Sequence, residues 1–359
     1  MEKTKENHRV CVTGASGFIG SWLVKRLLEK GHAVHATLRN LEDESKVGLL
    51  KSLPHADTKL SLFQADIYNP VDFDPAIKGC EFVFHVATPM LHNSQSSLIL
   101  KNLQYKDTAE AAIAGVRSIA DSCIRSQTVK RLIYTASCMS ASPVTDDGVG
   151  TKSCVDESCW TPLNVSFTYL NDFLLESDGI VFWMFMKGYT RSKTLAEKET
   201  LSYNEVDNGK LEVVTIPCGV VGGDQTLLPY LNSTVETLLS QLSGNLSGYN
   251  SLKCVQEITG SIPLVHLEDV CEAHIFCMEQ PSLRGRYFCS VVNPTLKEIA
   301  LYVQENYPEY KIAEEFRGGA EKGIVHDFTK LTNMGFVYKY RMEKILDDCI
   351  RYGKRFGAL

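Results

Sequence analysis

The sequence predicts an α/β protein: a doubly wound parallel sheet with a smaller mixed lobe toward the C-terminal end. Short apolar segments alternate with helical stretches over the first 216 residues, and the first segment runs straight into a glycine-spaced turn that opens a helix. A β-α-β sheet is wound in that order, each helix carrying the chain back across one face. A length of 359 residues is more than one simple core needs and less than three, which suits one such domain with a smaller region packed on it.

Six short apolar segments read as strands: 10–13, 33–38, 60–63, 82–86, 132–135 and 211–216. After the first, Phe18, Ile19, Trp22, Leu23, Leu27 and Leu28 recur at helical spacing, and Gly31 follows as a stop. A longer helix is expected over much of 98–125. Sustained period is lost across 140–178, which is rich in Ser, Thr, Asp, Asn and Gly and reads as loop. Further helices are expected near 234–242, 267–278, 295–306 and 342–352. The expected division is 1–216 for the sheet domain and 217–359 for the smaller lobe, with some later segments returning to the sheet.

The composition narrows the partners. A net charge of −6 comes from evenly mixed signs without a basic stripe, which argues against a nucleic-acid surface and for a small-molecule ligand. The longest apolar run, 180–186, is too short to span a bilayer, so no membrane segment is expected. Residues 1–9 are polar and lack an apolar signal core, which makes the cytoplasm the expected location. The 12 cysteines are scattered, and Cys154 and Cys159, the closest grouping, lack the spacing of a zinc site; reduced thiols and no metal are expected. His85, His266 and His274 read as packed or hydrogen-bonded histidines. The sequence leaves the oligomeric state open.

The turn Gly14-Ala15-Ser16-Gly17-Phe18-Ile19-Gly20 carries the first chemistry. A pyrophosphate needs backbone N–H donors at close range and the positive end of a helix dipole, and glycines leave room for that approach. The glycine trio follows a strand and opens a helix, the context that gives the pattern its meaning. At the end of the second strand an acidic residue would accept from ribose hydroxyls, but Arg39 stands there. A guanidinium suits a 2′-phosphate, and Lys46 adds a second positive charge, so NADP(H) is the expected cofactor.

Reduction of a carbonyl also needs a proton. A tyrosine, with a pKa of about 10, donates poorly at neutral pH unless a cation stabilises its phenolate. Tyr189 and Lys193 stand four apart on one helical face. Tyr249/Lys253, Tyr307/Lys311 and Tyr340/Lys344 share the spacing, but only the Tyr189 pair lies between the fifth and sixth strands and leads into a helix at 192–201. Ser137, just past the fifth strand, is the expected hydrogen-bond donor to the substrate oxygen.

With these residues assembled, the chain resembles the extended short-chain dehydrogenase/reductases of Rossmann fold, in particular the plant dihydroflavonol, anthocyanidin and vestitone reductases. The resemblance covers nearly the whole length. It is carried by residues 12–20, by Phe82-Val83-Phe84-His85-Val86-Ala87-Thr88-Pro89, by Ser192-Lys193-Thr194-Leu195-Ala196-Glu197-Lys198, by Val265-His266-Leu267-Glu268-Asp269-Val270 with Ala273-His274-Ile275, and by Gly285-Arg286-Tyr287. It implies a catalytic trio of Ser137, Tyr189 and Lys193, and 2′-phosphate contacts from Arg39 and Lys46. It further implies Asp66 and Ile67 beside the adenine, Val86, Ala87 and Thr88 along the cofactor, and Pro217 with Val220 against the nicotinamide, Tyr189 and Lys193 also touching the cofactor.

The chain departs from the group in places. Dihydroflavonol reductases are expected to carry Asn five residues after the catalytic serine, where this chain has Ser142, and Gly260-Ser261-Ile262 is closer to anthocyanidin reductases. The segment between Trp160 and Tyr189 is longer than in either, and it carries Phe167, Tyr169, Phe173, Phe182, Trp183, Met184, Phe185 and Met186. Read as a loop, it suits a flat apolar ligand. The expected function is an NADPH-dependent reductase of an aromatic plant secondary metabolite. The rivals are a nucleotide-sugar epimerase or dehydratase of the same extended family and a non-catalytic NADP(H)-binding regulator.

Overall fold

Val10, Cys11, Val12 and Thr13 are fully enclosed, as an unbroken apolar run is when helices cover both faces of a parallel sheet. The computed structural model describes residues 7–89, 107–165, 179–224, 227–320 and 322–359. In chain order its first elements are β1 (Arg9–Thr13), α1 (Phe18–Glu29), β2 (Ala33–Leu38), α2 (Glu44–Lys51), β3 (Leu60–Gln64), β4 (Phe82–His85), α3 (Thr108–Ser126) and β5 (Arg131–Ser137). There follow β6 (Cys154–Val155), α4 (Gly179–Ser202), β7 (Glu212–Cys218), β8 (Val220–Gly222), α5 (Leu246–Thr259), β9 (Leu264–His266) and α6 (Leu267–Glu279). The last are β10 (Gly285–Arg286), α7 (Leu296–Asn306), β11 (Val325–His326) and α8 (Met342–Arg355).

Seven strands form the central sheet in the order β10-β7-β5-β4-β1-β2-β3. β1 pairs in parallel with β2 on one side and β4 on the other, Val10 lying opposite Val34 and Phe82. The chain therefore winds outward in one direction through β2 and β3 and in the other through β4 and β5. The reversal falls between β1 and β4, the switch point at which doubly wound sheets bind ligands. All six expected strands are in this sheet. The seventh, β10, is two residues of Gly and Arg paired beside Val214 and Thr215, with no apolar run to announce it.

The chain divides into two compact units. Unit 1 runs to Thr135 and takes in 195–216 and 274–286, whereas unit 2 holds 136–194, 217–273 and 287–359. Position 216/217 is thus one boundary among several. Residues 136–194 group with the later segments because Cys138, Met139, Val155, Cys159 and Met186 share a core with Cys254, Val255, Ile258, Phe288 and Phe328.

Among the helices, α4 and α5 differ from expectation. α4 begins at Gly179, not at 192, so the apolar run 180–186 is the opening of the helix that carries Tyr189 and not a loop. Its apolar residues continue the helical path, and Met186 is buried in the unit 2 core. Phe167, Tyr169 and Phe173, and the side chains of Phe182, Trp183 and Met184, lie outside the described residues. α5 was not expected, its sequence being half polar. Asn245 caps it by accepting from the Gly248 N–H, Gly260 ends it at φ +81°, and Tyr249, Leu252, Val255 and Ile258 fill its buried face.

Candidate active site

Within unit 1 the glycine turn follows β1. Gly14 adopts φ +67°, and a Cβ there would lie 2.9 Å from the Ala87 Cα, so only glycine lets the turn pass the residues after β4. A Cβ on Gly20 would lie 2.2 Å from the Gly14 carbonyl oxygen. Gly17 is the N-cap of α1 and, having no side chain, makes no capping bond, while Phe18 and Ile19 form the first helical turn. A helix N-terminus that glycine backbone can approach closely is a cradle for an anion. The residues present fit a pyrophosphate, with Ser16 half-buried beside them.

Thr13, which sequence reasoning passed over, holds this corner together. Its Oγ1 accepts from the Val86 and Ala87 N–H groups at 3.1 and 3.2 Å and lies 2.8 Å from His85 Nδ1. With both lone pairs engaged, the hydroxyl donates its proton to Nδ1, so His85 carries its own proton on Nε2. Val86, Ala87 and Thr88 are half-buried along the end of β4.

Arg39 is exposed immediately after β2. Lys46 lies in the first turn of α2 and pairs with Asp43 at 2.7 Å, and this contact holds the Asp43 carboxyl well below its usual range. Asp66 accepts from the Tyr68 N–H and turns the chain after β3. Ile67 is 7% exposed and belongs to the core of unit 1, where it faces Gly115 closely enough that a Cβ there would meet its Cγ1.

Within unit 2, Ser137 and Tyr189 meet. The Tyr189 hydroxyl donates to Ser137 Oγ at 3.4 Å. Ser137 ends β5, its Oγ accepts from the Met139 N–H at 3.3 Å, and its carbonyl accepts from Ser140 Oγ at 2.7 Å. Thr161 clamps the same turn, donating Oγ1 to the Met139 carbonyl at 2.7 Å and its N–H to that of Ser140 at 2.9 Å. Lys193 follows Tyr189 by one turn of α4 and is 6% exposed. Burial pushes the Tyr189 phenol up to about 12, and the Ser137 hydrogen bond pulls the other way. Taking the phenolate out of water outweighs what the Ser137 hydrogen bond returns.

Pro217 lies in β7, where its carbonyl accepts from the Cys289 N–H at 2.9 Å. Val220 is half-buried in the same core as Tyr189. The other Tyr/Lys pairs are engaged elsewhere: Tyr249 donates to the Gly318 carbonyl, Tyr307 to Asp347, and Tyr340 stacks on His266 at 3.9 Å between ring centroids. Ser142 is fully buried and accepts from the Val144 N–H at 3.2 Å, which makes it a turn-forming serine.

The family model of the NAD dependent epimerase/dehydratase family matches residues 10–165. An anthocyanidin reductase ((2S)-flavan-3-ol-forming) of Vitis vinifera is 35% identical over 97% of this chain and 96% of its own length. A dihydroflavonol 4-reductase of Callistephus chinensis is 40% identical over 98% of this chain and 87% of its own. The crystal structure of vestitone reductase from alfalfa (Medicago sativa L.) superposes with a TM-score of 0.73 at 32% identity, covering 98% of this chain and all of the other. The chain belongs to the extended short-chain dehydrogenase/reductases and is an oxidoreductase.

Several of the residues on which the resemblance of this extended reductase rests are bonded to other segments of the chain. In unit 1, Glu197 of α4 receives Arg286 of β10 at 2.8 and 3.2 Å and Thr215 of β7 at 2.8 Å. His274 Nε2 lies 2.8 Å from Thr135 Oγ1. In unit 2, Asp269 accepts from the Lys339 and Tyr340 N–H groups. Among the described residues of the reductase, no helix is long and apolar enough to cross a membrane.

Proposed function

We propose that this chain is an NADPH-dependent reductase of an aromatic plant metabolite of the flavonoid class, Tyr189 acting as the proton donor. The observation that carries the reading is the Tyr189 hydroxyl 3.4 Å from Ser137 Oγ, with Lys193 one helical turn along. The flavonoid substrates named for relatives at 35 and 40% identity supply the substrate class.

Gly14, Ser16, Gly17, Phe18, Ile19 and Gly20 would hold the pyrophosphate, and Asp66, Ile67, Val86, Ala87, Thr88, Pro217 and Val220 would line the rest of the cofactor. Arg39, with Lys46 drawn from Asp43, would take the 2′-phosphate. When bound, the cofactor supplies the hydride. A phenol held up to about 12 keeps its proton at rest, and an alkoxide, which is more basic still, takes it as the substrate oxygen turns anionic. Ser137 donates to that oxygen, and Lys193 offsets the charge left on Tyr189. The epimerase and regulator readings draw no support from relatives that are named as reductases.

Tyr189→Phe is the test. Turnover of dihydroflavonol or anthocyanidin substrates, followed as NADPH consumption, is expected to fall about 10²- to 10⁴-fold while NADPH binding stays intact. Turnover near that of the wild type would remove Tyr189 from the mechanism.

A further inference from the structure

Phe185, Tyr189 and Lys193 stand at successive four-residue steps on α4 and so form one stripe. Exposure rises along it: Lys193 is 6% exposed, Tyr189 half-buried and Phe185 36% exposed. The rings of Phe185 and Tyr189 lie 6.3 Å apart between centroids with their planes at 28°. Phe185 thus flanks Tyr189 on the more exposed side of the stripe, and Lys193 on the more buried side. Four residues advance a helix by about 6 Å, so a ligand reaching from Tyr189 to Phe185 needs a ring beyond the fused pair that carries its carbonyl.

We infer that Phe185 is a specificity-determining residue, a stacking surface for the outer aromatic ring of a substrate whose reacting end lies at Tyr189. The inference rests on the reductase reading only for which end of the ligand sits at the tyrosine. An offset ring pair changes affinity about three- to tenfold. Selection would therefore fall on ring count and not on the carbonyl.

Flavanone, with its outer phenyl ring, and chromanone, which lacks that ring, are titrated by calorimetry into the full chain, with NADP⁺ present so that nothing turns over. Phe185→Ala is expected to weaken flavanone about three- to tenfold and chromanone less than twofold, and Phe185→Tyr to keep flavanone affinity near that of the wild type. Unchanged flavanone binding in Phe185→Ala, equal weakening of both ketones, or no flavanone binding to the wild type overturns the inference. NADPH oxidation with the same ketones is read separately. Binding that depends on Phe185 without any turnover would count against the reductase reading and leave this inference standing.

Discussion

Arg39 stands where the second strand ends, in the position at which a nucleotide-binding sheet selects between two cofactors. It is exposed, and its companion Lys46 is held by Asp43 at 2.7 Å; an exposed pair of this kind is worth little and yields readily to a phosphate. Arg39→Ala is expected to raise KM for NADPH by about tenfold or more and to leave KM for NADH within about twofold; equal effects on both would remove Arg39 from the phosphate site. Tyr189 gives a second prediction. Its phenol, raised to about 12 by burial, is expected to show no phenolate absorbance below about pH 11 in a difference titration of the wild type against Tyr189→Phe. The folded chain's preference for the neutral phenol contributes stability in full below the ordinary pKa of about 10. That contribution is lost as pH rises through about 12, so an unfolding free energy flat from pH 9 to 12 would contradict it. The Tyr189/Lys193 spacing was legible in the sequence because it is a local helical relation. Thr13, Ser140 and Thr161 were not, because a buried hydroxyl declares its partner only once the chain is folded.

Helix ends show what an element can settle for itself. Thr295 opens α7 with a capping box: its Oγ1 accepts from the Glu298 N–H at 3.2 Å, and Glu298 returns to the Thr295 N–H at 2.7 Å. Thr295→Ala removes one half of this exchange and is expected to cost about 1 kcal/mol, with Thr295→Ser recovering most of it; urea midpoints read both. The start of this helix was expected to within a residue, since Thr-x-x-Glu before an apolar stripe is a local signal. α4 was expected to start thirteen residues too late because aromatic and β-branched residues read weakly as helix, and burial of Met186 overrides that preference. Asn232 and Asn245, which match a glycosylation pattern, are helix N-caps here, accepting from the Thr234 and Gly248 N–H groups at 2.9 and 3.1 Å.

Across the whole molecule the chain leaves and re-enters each unit, so distant segments must be pinned. In unit 1 the buried Glu197–Arg286 pair does this: the side chains are 0 and 4% exposed and doubly bonded, and Thr215 donates to the same carboxylate. Removing one partner strands a charge in the interior, and Glu197→Ala is expected to destabilise the protein by about 3–5 kcal/mol. The double variant Glu197→Leu/Arg286→Met is expected to recover most of the loss, which thermal unfolding of the full chain would measure. A single variant as stable as the wild type would show that the pair is not what ties β10 to the sheet.

By itself the sequence determined the parallel sheet, the glycine turn, the Tyr189/Lys193 step and the cationic end of β2. These are consequences of local period, backbone freedom and residue type, which act within a few positions. Tertiary structure decided that 136–194 packs with the later segments, that Gly285 and Arg286 add a seventh strand, that Glu197 and Arg286 serve each other, and that Phe185 stands on the same stripe as Tyr189. Each depends on burial or on a partner far along the chain, and neither exists until the core has formed.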